Sequence, residues 1–316
     1  MILVCGEALF DMFAEDTDGD LKLDARIGGS PFNVAVGLAR LERPVSFFAG
    51  LSNDLFGRRL QAALKAEGVD LRHAIINDRL TTLSVVDVGP DGSPEYAFYG
   101  EKAADRQIES THLPVLDGSV EAIHIGSFSV MVEPVGSSLV ELVKRESARC
   151  VISYDPNIRP TVVADMQLWR DRLEDMLGHI HILKISAEDL EHLYAGASST
   201  EVAQGWLKRG TRLVVVTRGG EGAEAHTRSG MVRIPGIGVK VVDTVGAGDT
   251  FQAAMLAALS ERGLLHADAL NDLDGELLSG VLSFAAQAAA LTCSRRGANL
   301  PRRAELAAPL VSTVQD

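Results

Sequence analysis

The sequence predicts an α/β protein: a mainly parallel central sheet covered by helices on both faces, a three-layer α/β/α sandwich, with a small second β-sheet beside it. Two observations carry this. Short apolar runs alternate with helical periods along most of the chain, which is the pattern of a parallel sheet buried on both sides. Two other regions alternate with period two, the mark of strands with one face open to solvent. At 316 residues the chain is long enough to bury a large core.

Ile2 to Cys5 is a short, wholly apolar strand. It breaks at Gly6-Glu7, and Asp11 follows, near the strand end where ligands of parallel sheets gather. Its plain alternative is a loop acid that caps local N–H groups. Leu21, Leu23, Ala25 and Ile27 alternate with polar residues and predict a half-exposed strand. Leu83, Val85 and Val88 lead into the turn cluster Gly89-Pro90-Asp91-Gly92, and Tyr96, Phe98 and Tyr99 follow it. These two regions predict a small sheet apart from the α/β body, with an edge hairpin on the main sheet as the alternative.

Between them, Gly28-Gly29-Ser30-Pro31-Phe32-Asn33 opens an almost wholly apolar helix that runs to Leu41. Ser30 suits an N-cap and Pro31 the first helical position. A helix this apolar is buried, so Asn33 in its first turn needs a partner. Further strands are expected at 45–49, 121–126, 150–155, 180–185 and 212–217. Helices are expected at 54–66, 134–146, 165–177, 186–194, 200–208 and about 275–293.

Apolar residues make up 46% and charged residues 23% of the chain, with a formal charge of −13. That balance argues against nucleic acid or an anionic membrane as partner. It also means that a phosphate site has to be made locally. Cys5, Cys150 and Cys293 lie in apolar runs without metal-type spacing and are expected as buried free thiols in a reducing cytosol. The N-terminus meets charge too early for a signal peptide, and no apolar run is expected to reach membrane length. The last dozen or so residues read as a loose tail.

The densest chemical signal is Asp243-Thr244-Val245-Gly246-Ala247-Gly248-Asp249. Val239, Val241 and Val242 before it read as a short strand. Phe251, Met255 and Leu259 after it mark one face of a helix that stops at Gly263. A glycine turn that opens a helix offers unpaired N–H groups at the positive end of the helix dipole, an anion site. Asp249 beside that anion would repel it. The preferred reason for its presence is that it takes the proton from a hydroxyl attacking a phosphate. No lysine follows the glycines, so this is not a Walker loop.

Three further strand ends carry polar residues: Asp155-Pro156-Asn157-Ile158-Arg159, Lys184-Ile185-Ser186-Ala187-Glu188-Asp189 and Thr217-Arg218-Gly219-Gly220-Glu221-Gly222. Each alone reads as a turn. Together they point to the same rim of the sheet as residues 246–249.

Over nearly its whole length the sequence resembles the ribokinase-like (PfkB) sugar kinases, and within them the fructokinases. The segments that carry this are 28–41, 98–105, 124–127, 155–160, 243–249 and 292–298. The resemblance implies a ribokinase-like core of 1–10, 28–78 and 105–316 and a β lid of 11–27 and 79–104 that closes over the sugar. It implies an ATP-dependent kinase, with Asp249 as base and Gly246, Ala247 and Gly248 around the transferring phosphoryl group. Asp11, Gly28, Gly29, Asn33 and Phe98 would hold the sugar, and Arg159 a phosphate or the sugar. Ser186, Thr217, Gly219, Gly222 and Gly248 would line the nucleotide. Mg²⁺ would arrive with ATP, handled indirectly by Asp189. A K⁺ site would be formed by carbonyls near 243–245 and 294–297. The same family pattern admits a homodimer through the lid.

Three positions depart from the family. Ser186-x-x-Asp189 stands where Asn-x-x-Glu is common. Gly100 stands where an arginine is frequent, and Ala286 where a polar residue often lies near the adenine. The acceptor alternatives are ribose, a nucleoside or 2-keto-3-deoxygluconate. For the last, a sugar acid, Lys102 is the candidate cation. A silent sugar-binding protein is the alternative of another class. A dinucleotide oxidoreductase fails at the first strand, which lacks the glycine fingerprint.

Overall fold

The structure, a computed structural model, describes residues 1–17, 20–88 and 94–306. Its central sheet runs in the order Gly230–Ile234, Ala223–Thr227, Leu213–Thr217, Ile182–Ser186, Val151–Asp155, Ala122–Gly126, Ile2–Cys5, Val45–Phe48. The last six of these are parallel. Ile2 and Val4 enter one hydrophobic core while Leu3 and Cys5 enter the other. Alternate residues of one strand thus bury on opposite faces, as a sheet between two helical layers requires.

The chain leaves Ile2–Cys5 toward Val45–Phe48 on one side, then crosses back to Ala122–Gly126 on the other. The two crossovers diverge at the C-terminal ends of Ile2–Cys5 and Ala122–Gly126, and a crevice opens there.

A second sheet of four strands is hydrogen-bonded apart from the first, in the order Asp20–Gly28, Leu9–Thr17, Leu83–Val88, Pro94–Tyr99. Its period-two register places Asp11 opposite Arg26 and Ser84, and Ser84 opposite Phe98. Leu9, Asp11, Phe13, Ser84, Val86 and Phe98 share one face and look onto the crevice. On the opposite face Phe10 packs against Phe56 at 5.0 Å. Farther out on that face Leu21 and Leu23 are exposed rather than half-buried, at 64% and 45%.

Several expectations change. Residues 239–242 are not a strand, and Val241 and Val242 lie exposed at 60% and 58%. They cross the surface beside the end of the last long helix, held by Val242 N–H to the Cys293 carbonyl, with no neighbouring strand to pair. Two antiparallel edge strands, Ala223–Thr227 and Gly230–Ile234, follow Leu213–Thr217 and break the alternation of strand and helix. Their apolar signal is masked by buried Glu224 and His226. Asp11 lies within the strand Leu9–Thr17 of the second sheet, which sets aside the alternative of a loop acid.

Helix Gly275–Cys293 has the length and mean hydropathy to cross a membrane, contrary to the sequence reading; 44% of that stretch is buried inside the fold. It packs against Ala247–Glu261 through Val281, Leu282, Ala285 and Ala288. Cys5 and Cys150 are buried free thiols, whereas Cys293 is half-buried. The turn at 89–92 and the tail from residue 307 lie outside the described residues.

Candidate active site

Two cavities meet at the N-terminus of helix Ala247–Glu261. The larger, about 500 Å³, lies between the crevice of the central sheet and the cavity face of the second sheet. The smaller, about 210 Å³, lies over the ends of the central strands and takes in Asp155, Lys184, Ser186, Asp189 and Thr217. Arg159, Gly248 and Asp249 belong to both walls.

The helix entrance explains the glycines separately. Gly246 is the N-cap with φ 76°, a left-handed conformation that L side chains rarely adopt. A Cβ there would also meet the Ala298 Cβ at 2.7 Å. Gly246 is therefore fixed by the backbone. Gly248 is open, and a Cβ would meet only the Lys184 ammonium, at 3.8 Å. Helix N–H groups without intrahelical partners thus lie close to a lysine, and both favour an anion. Ala247 lines neither cavity.

Asp249 is buried, and each of its oxygens has a donor. Ser30 Oγ donates to Oδ1 at 2.6 Å and Asn33 Nδ2 to Oδ2 at 2.8 Å. Burial pushes its carboxyl up. The two hydrogen bonds and Lys184 oppose the rise, and the nearby Asp155 adds to it. A carboxylate raised in this way is a better proton acceptor than one in water. Asn33 thus finds the partner its burial demanded. Ser30 is not the cap: Gly29 holds that position with φ 106°, and Ser30 is the first helical residue. A side chain at Gly29 would strike the Glu7 carbonyl at 2.7 Å.

Asp11 stands on the second sheet with Ser84 as hydrogen-bond partner; burial raises its carboxyl, against Ser84 and Arg159. Gly28 lines no cavity, but a Cβ there would lie 2.2 Å from the Asp11 carboxylate, so its bareness makes room for Asp11. Phe98 packs edge-on against Phe128 at 5.8 Å and closes one wall. Arg159 is held by the carbonyls of Asn157 and Ile158 at 3.2 and 2.9 Å. It is the one cation among the described residues lining the larger cavity.

In the smaller cavity Ser186 caps its helix by accepting from the Asp189 N–H at 2.9 Å, as expected. Asp189 Oδ1 accepts from the Ile158 N–H at 3.1 Å, and burial together with Asp155 raises its carboxyl. No cluster of three or more metal-type side chains occurs among the described residues. Two neighbouring carboxyls do not make a resident metal site. They do fit Mg²⁺ carried in on phosphates, which keeps water and takes one or two carboxylates. Thr217 lines this cavity, whereas Gly219 and Gly222 lie in the turn beyond it. Gly222 is required by its φ of 103° and by the Ile234 carbonyl, 2.2 Å from a Cβ. The 243–245 and 294–297 segments do meet: Asp243 accepts from the N–H groups of Val245 and Gly297 at 3.0 and 2.8 Å.

Three features of the site lie outside the roles read from the sequence. Lys184 and Asp155 form an ion pair of 2.7 Å, each 4% exposed, under the helix entrance. A lysine inside the apolar run Ile182–Ser186 was the available signal. Ser30 was read as a cap. Glu7, 1% exposed, lines the larger cavity and is pushed up to about 7 by burial. Lys102 is exposed and lines neither cavity. Ala286 is half-buried against the core, also away from both. At Gly100 a Cβ would meet the Arg106 guanidinium at 2.6 Å, so an arginine is present here from a different position.

Comparison with known proteins identifies the family. The model of the pfkB family of carbohydrate kinases matches residues 1–305. A fructokinase of Rhizobium leguminosarum bv. trifolii is 40% identical over 304 residues, 96% of this chain and 91% of the relative. Among solved structures, a fructokinase of Xylella fastidiosa with bound ATP superposes with a TM-score of 0.89 at 29% identity, covering 97% of this chain and 96% of the other. A double mutant of a Vibrio cholerae fructokinase, solved with fructose, ADP and a potassium ion, gives a TM-score of 0.82 at 28% identity over 97% and 96%.

Proposed function

The chain belongs to the pfkB family of carbohydrate kinases, and from that premise we propose that it transfers the γ-phosphoryl group of ATP to a primary hydroxyl of fructose. The observation that carries this reading is that Gly248 and Asp249 line both cavities. The sugar occupies the larger cavity, between Asp11, Gly29, Phe98 and Arg159. The nucleotide phosphates occupy the smaller one, over Lys184, Ser186 and Thr217.

The sugar hydroxyl attacks the γ-phosphorus in line. A new O–P bond forms, the bond to the β–γ bridging oxygen breaks, and ADP leaves. Asp249 accepts the hydroxyl proton while Ser30 and Asn33 hold its carboxylate in place. The helix N–H groups, with Lys184 close by, bear the charge that develops on the transferring group. Mg²⁺ bound with the nucleotide would lower the charge on the phosphates, with Asp155 and Asp189 as the carboxyls toward it. The joined 243–245 and 294–297 segments are the place for a K⁺ ion.

Residues 11–27 and 79–104 act as a lid hinged at Gly28-Gly29, and closure excludes water from the phosphoryl group. ATP hydrolysis without sugar should therefore be much slower than sugar phosphorylation; equal rates would remove the gating role. The exposed lid face with Leu21 and Leu23 supports a homodimer, and Leu23→Lys should shift sedimentation to the monomer.

The function is tested with ATP, Mg²⁺ and a panel of fructose, ribose, glucose, adenosine and 2-keto-3-deoxygluconate, read as ADP release. Fructose should give the highest kcat/KM. A tenfold preference for another member, about 1.4 kcal/mol in transition-state binding, would replace it as the acceptor.

A further inference from the structure

The crevice between the strands Ile2–Cys5 and Ala122–Gly126 presents one group that the transfer chemistry does not use. Glu7 leaves the first strand, and Ser127 leaves the second, at the point where the crossovers diverge. Both line the larger cavity. Ser129 Oγ donates to Glu7 Oε2 at 2.5 Å, and the Ser127 side chain is a second partner. No cation pairs with Glu7 among the described residues, and the charged neighbour that bears on it is another acid, Asp105.

The remaining partner is a backbone N–H, that of Glu7 itself; a buried carboxyl with no cation is costly, and a glutamine or an apolar side chain would fill the same space at lower cost. The backbone around it is held in uncommon conformations as well: Gly6 has φ 138° and Ser127, a non-glycine, φ 60°. Such conformations concentrate at functional sites. Asp11 and Asp249 add two more carboxyls to the same cavity, against the single guanidinium of Arg159. An acceptor bearing a carboxylate or phosphate would meet like charge there. A neutral polyol offers hydroxyl donors to every one of these groups.

We infer that Glu7 is an acceptor-specificity residue: its carboxyl takes a sugar hydroxyl and selects uncharged sugars over sugar acids. This rests on the kinase reading above. It adds a selecting group on the central sheet, outside the lid.

The test uses the full-length protein and compares wild type with Glu7→Gln, which keeps the shape and can still accept from Ser129. Fructose binding is measured by titration calorimetry, and kcat/KM is measured for fructose and for 2-keto-3-deoxygluconate. Glu7→Gln should lose at least tenfold in fructose affinity, and the ratio of the two kcat/KM values should fall at least tenfold. The affinity for a non-hydrolysable ATP analogue should move less than threefold, which a merely structural role would not respect. If Glu7→Gln does not fold, Glu7→Asp, which withdraws the carboxyl by one methylene, is judged by the same criteria. Fructose affinity within twofold of wild type, or an equal loss for the ATP analogue, would overturn the inference alone. Wild type that phosphorylates no sugar of the panel would overturn both this inference and the kinase reading.

Discussion

The two cavities share one helix end but are built differently. The smaller one is floored by ends of central strands and holds a buried ion pair: the Lys184 ammonium lies 2.7 Å from Asp155. The larger one is walled on one side by the separate four-stranded sheet, and its acids take side-chain hydrogen bonds from neutral donors: Asp249 from Ser30 and Asn33, Glu7 from Ser129, Asp11 from Ser84. Ionic pairing on a fixed floor suits a polyanion that is the same in every turnover. Hydroxyl and amide partners suit a neutral, hydroxyl-rich ligand. On the proposed function, nucleotide binding falls to the body of the fold and acceptor choice to the crevice and second sheet.

Substitutions that strike one cavity and spare the other sharpen the contrast. The largest effect is expected at the junction. Asp249→Asn keeps the shape, cannot take a proton and removes a charge that repels ATP. Its kcat should fall by roughly 10²–10⁴ while ATP binding persists or tightens. Retention of more than about a tenth of wild-type kcat would exclude proton abstraction by this residue. Lys184→Met strands the buried Asp155 carboxyl and should cost about 3–5 kcal/mol in urea unfolding. An unchanged midpoint would mean that the pair is not what holds the floor.

Glu7 gives the next effect, with a pH signature. Its carboxyl rises from an ordinary 4.5 to about 7 on folding. Between those values the folded chain holds a proton that the unfolded chain has lost, so wild-type stability falls as pH rises through that window. At about 1.4 kcal/mol per pH unit, the loss amounts to roughly 3 kcal/mol by pH 8. Glu7→Gln should remove that slope, so its stability relative to wild type should grow from pH 5 to pH 8. A constant difference would contradict the burial of an unpaired carboxyl. Gly248→Ala should be mildest in magnitude. It sets a methyl 3.8 Å from the Lys184 ammonium and should weaken nucleotide binding about tenfold, with acceptor binding less affected.

The same division decides what was readable in the sequence. The smaller cavity comes from strand ends whose apolar runs stop at Asp155, Ser186 and Thr217, so periodicity alone located its rim. The 246–249 turn and its helix were visible as a glycine corner before an apolar stripe. The larger cavity brings together residues far apart in the chain, and partnership at such range leaves no local mark. Ser30 meets Asp249 across 219 positions and Glu7 meets Ser129 across 122. Ser30 looked like a cap because serine before a proline usually is one. Val241 and Val242 looked like a strand because alternation was present, but a strand also needs a neighbour, and sequence does not supply one. The antiparallel pair at 223–234 was hidden for the opposite reason. Its buried Glu224 answers to Arg218 at 3.0 Å and Arg233 at 2.7 Å, and no apolar pattern reports an ion pair.

In the proposed reaction the phosphoryl group passes between the two cavities in a single displacement, with Asp249 as base. The stereochemistry at phosphorus reports the number of displacements. ATP made chiral at the γ-phosphorus is turned over with fructose, and the configuration of the sugar phosphate is determined. Inversion is expected from one in-line transfer. Retention would mean two displacements through a phosphorylated carboxylate, with Asp249 the nucleophile instead of the base, and would contradict the assignment.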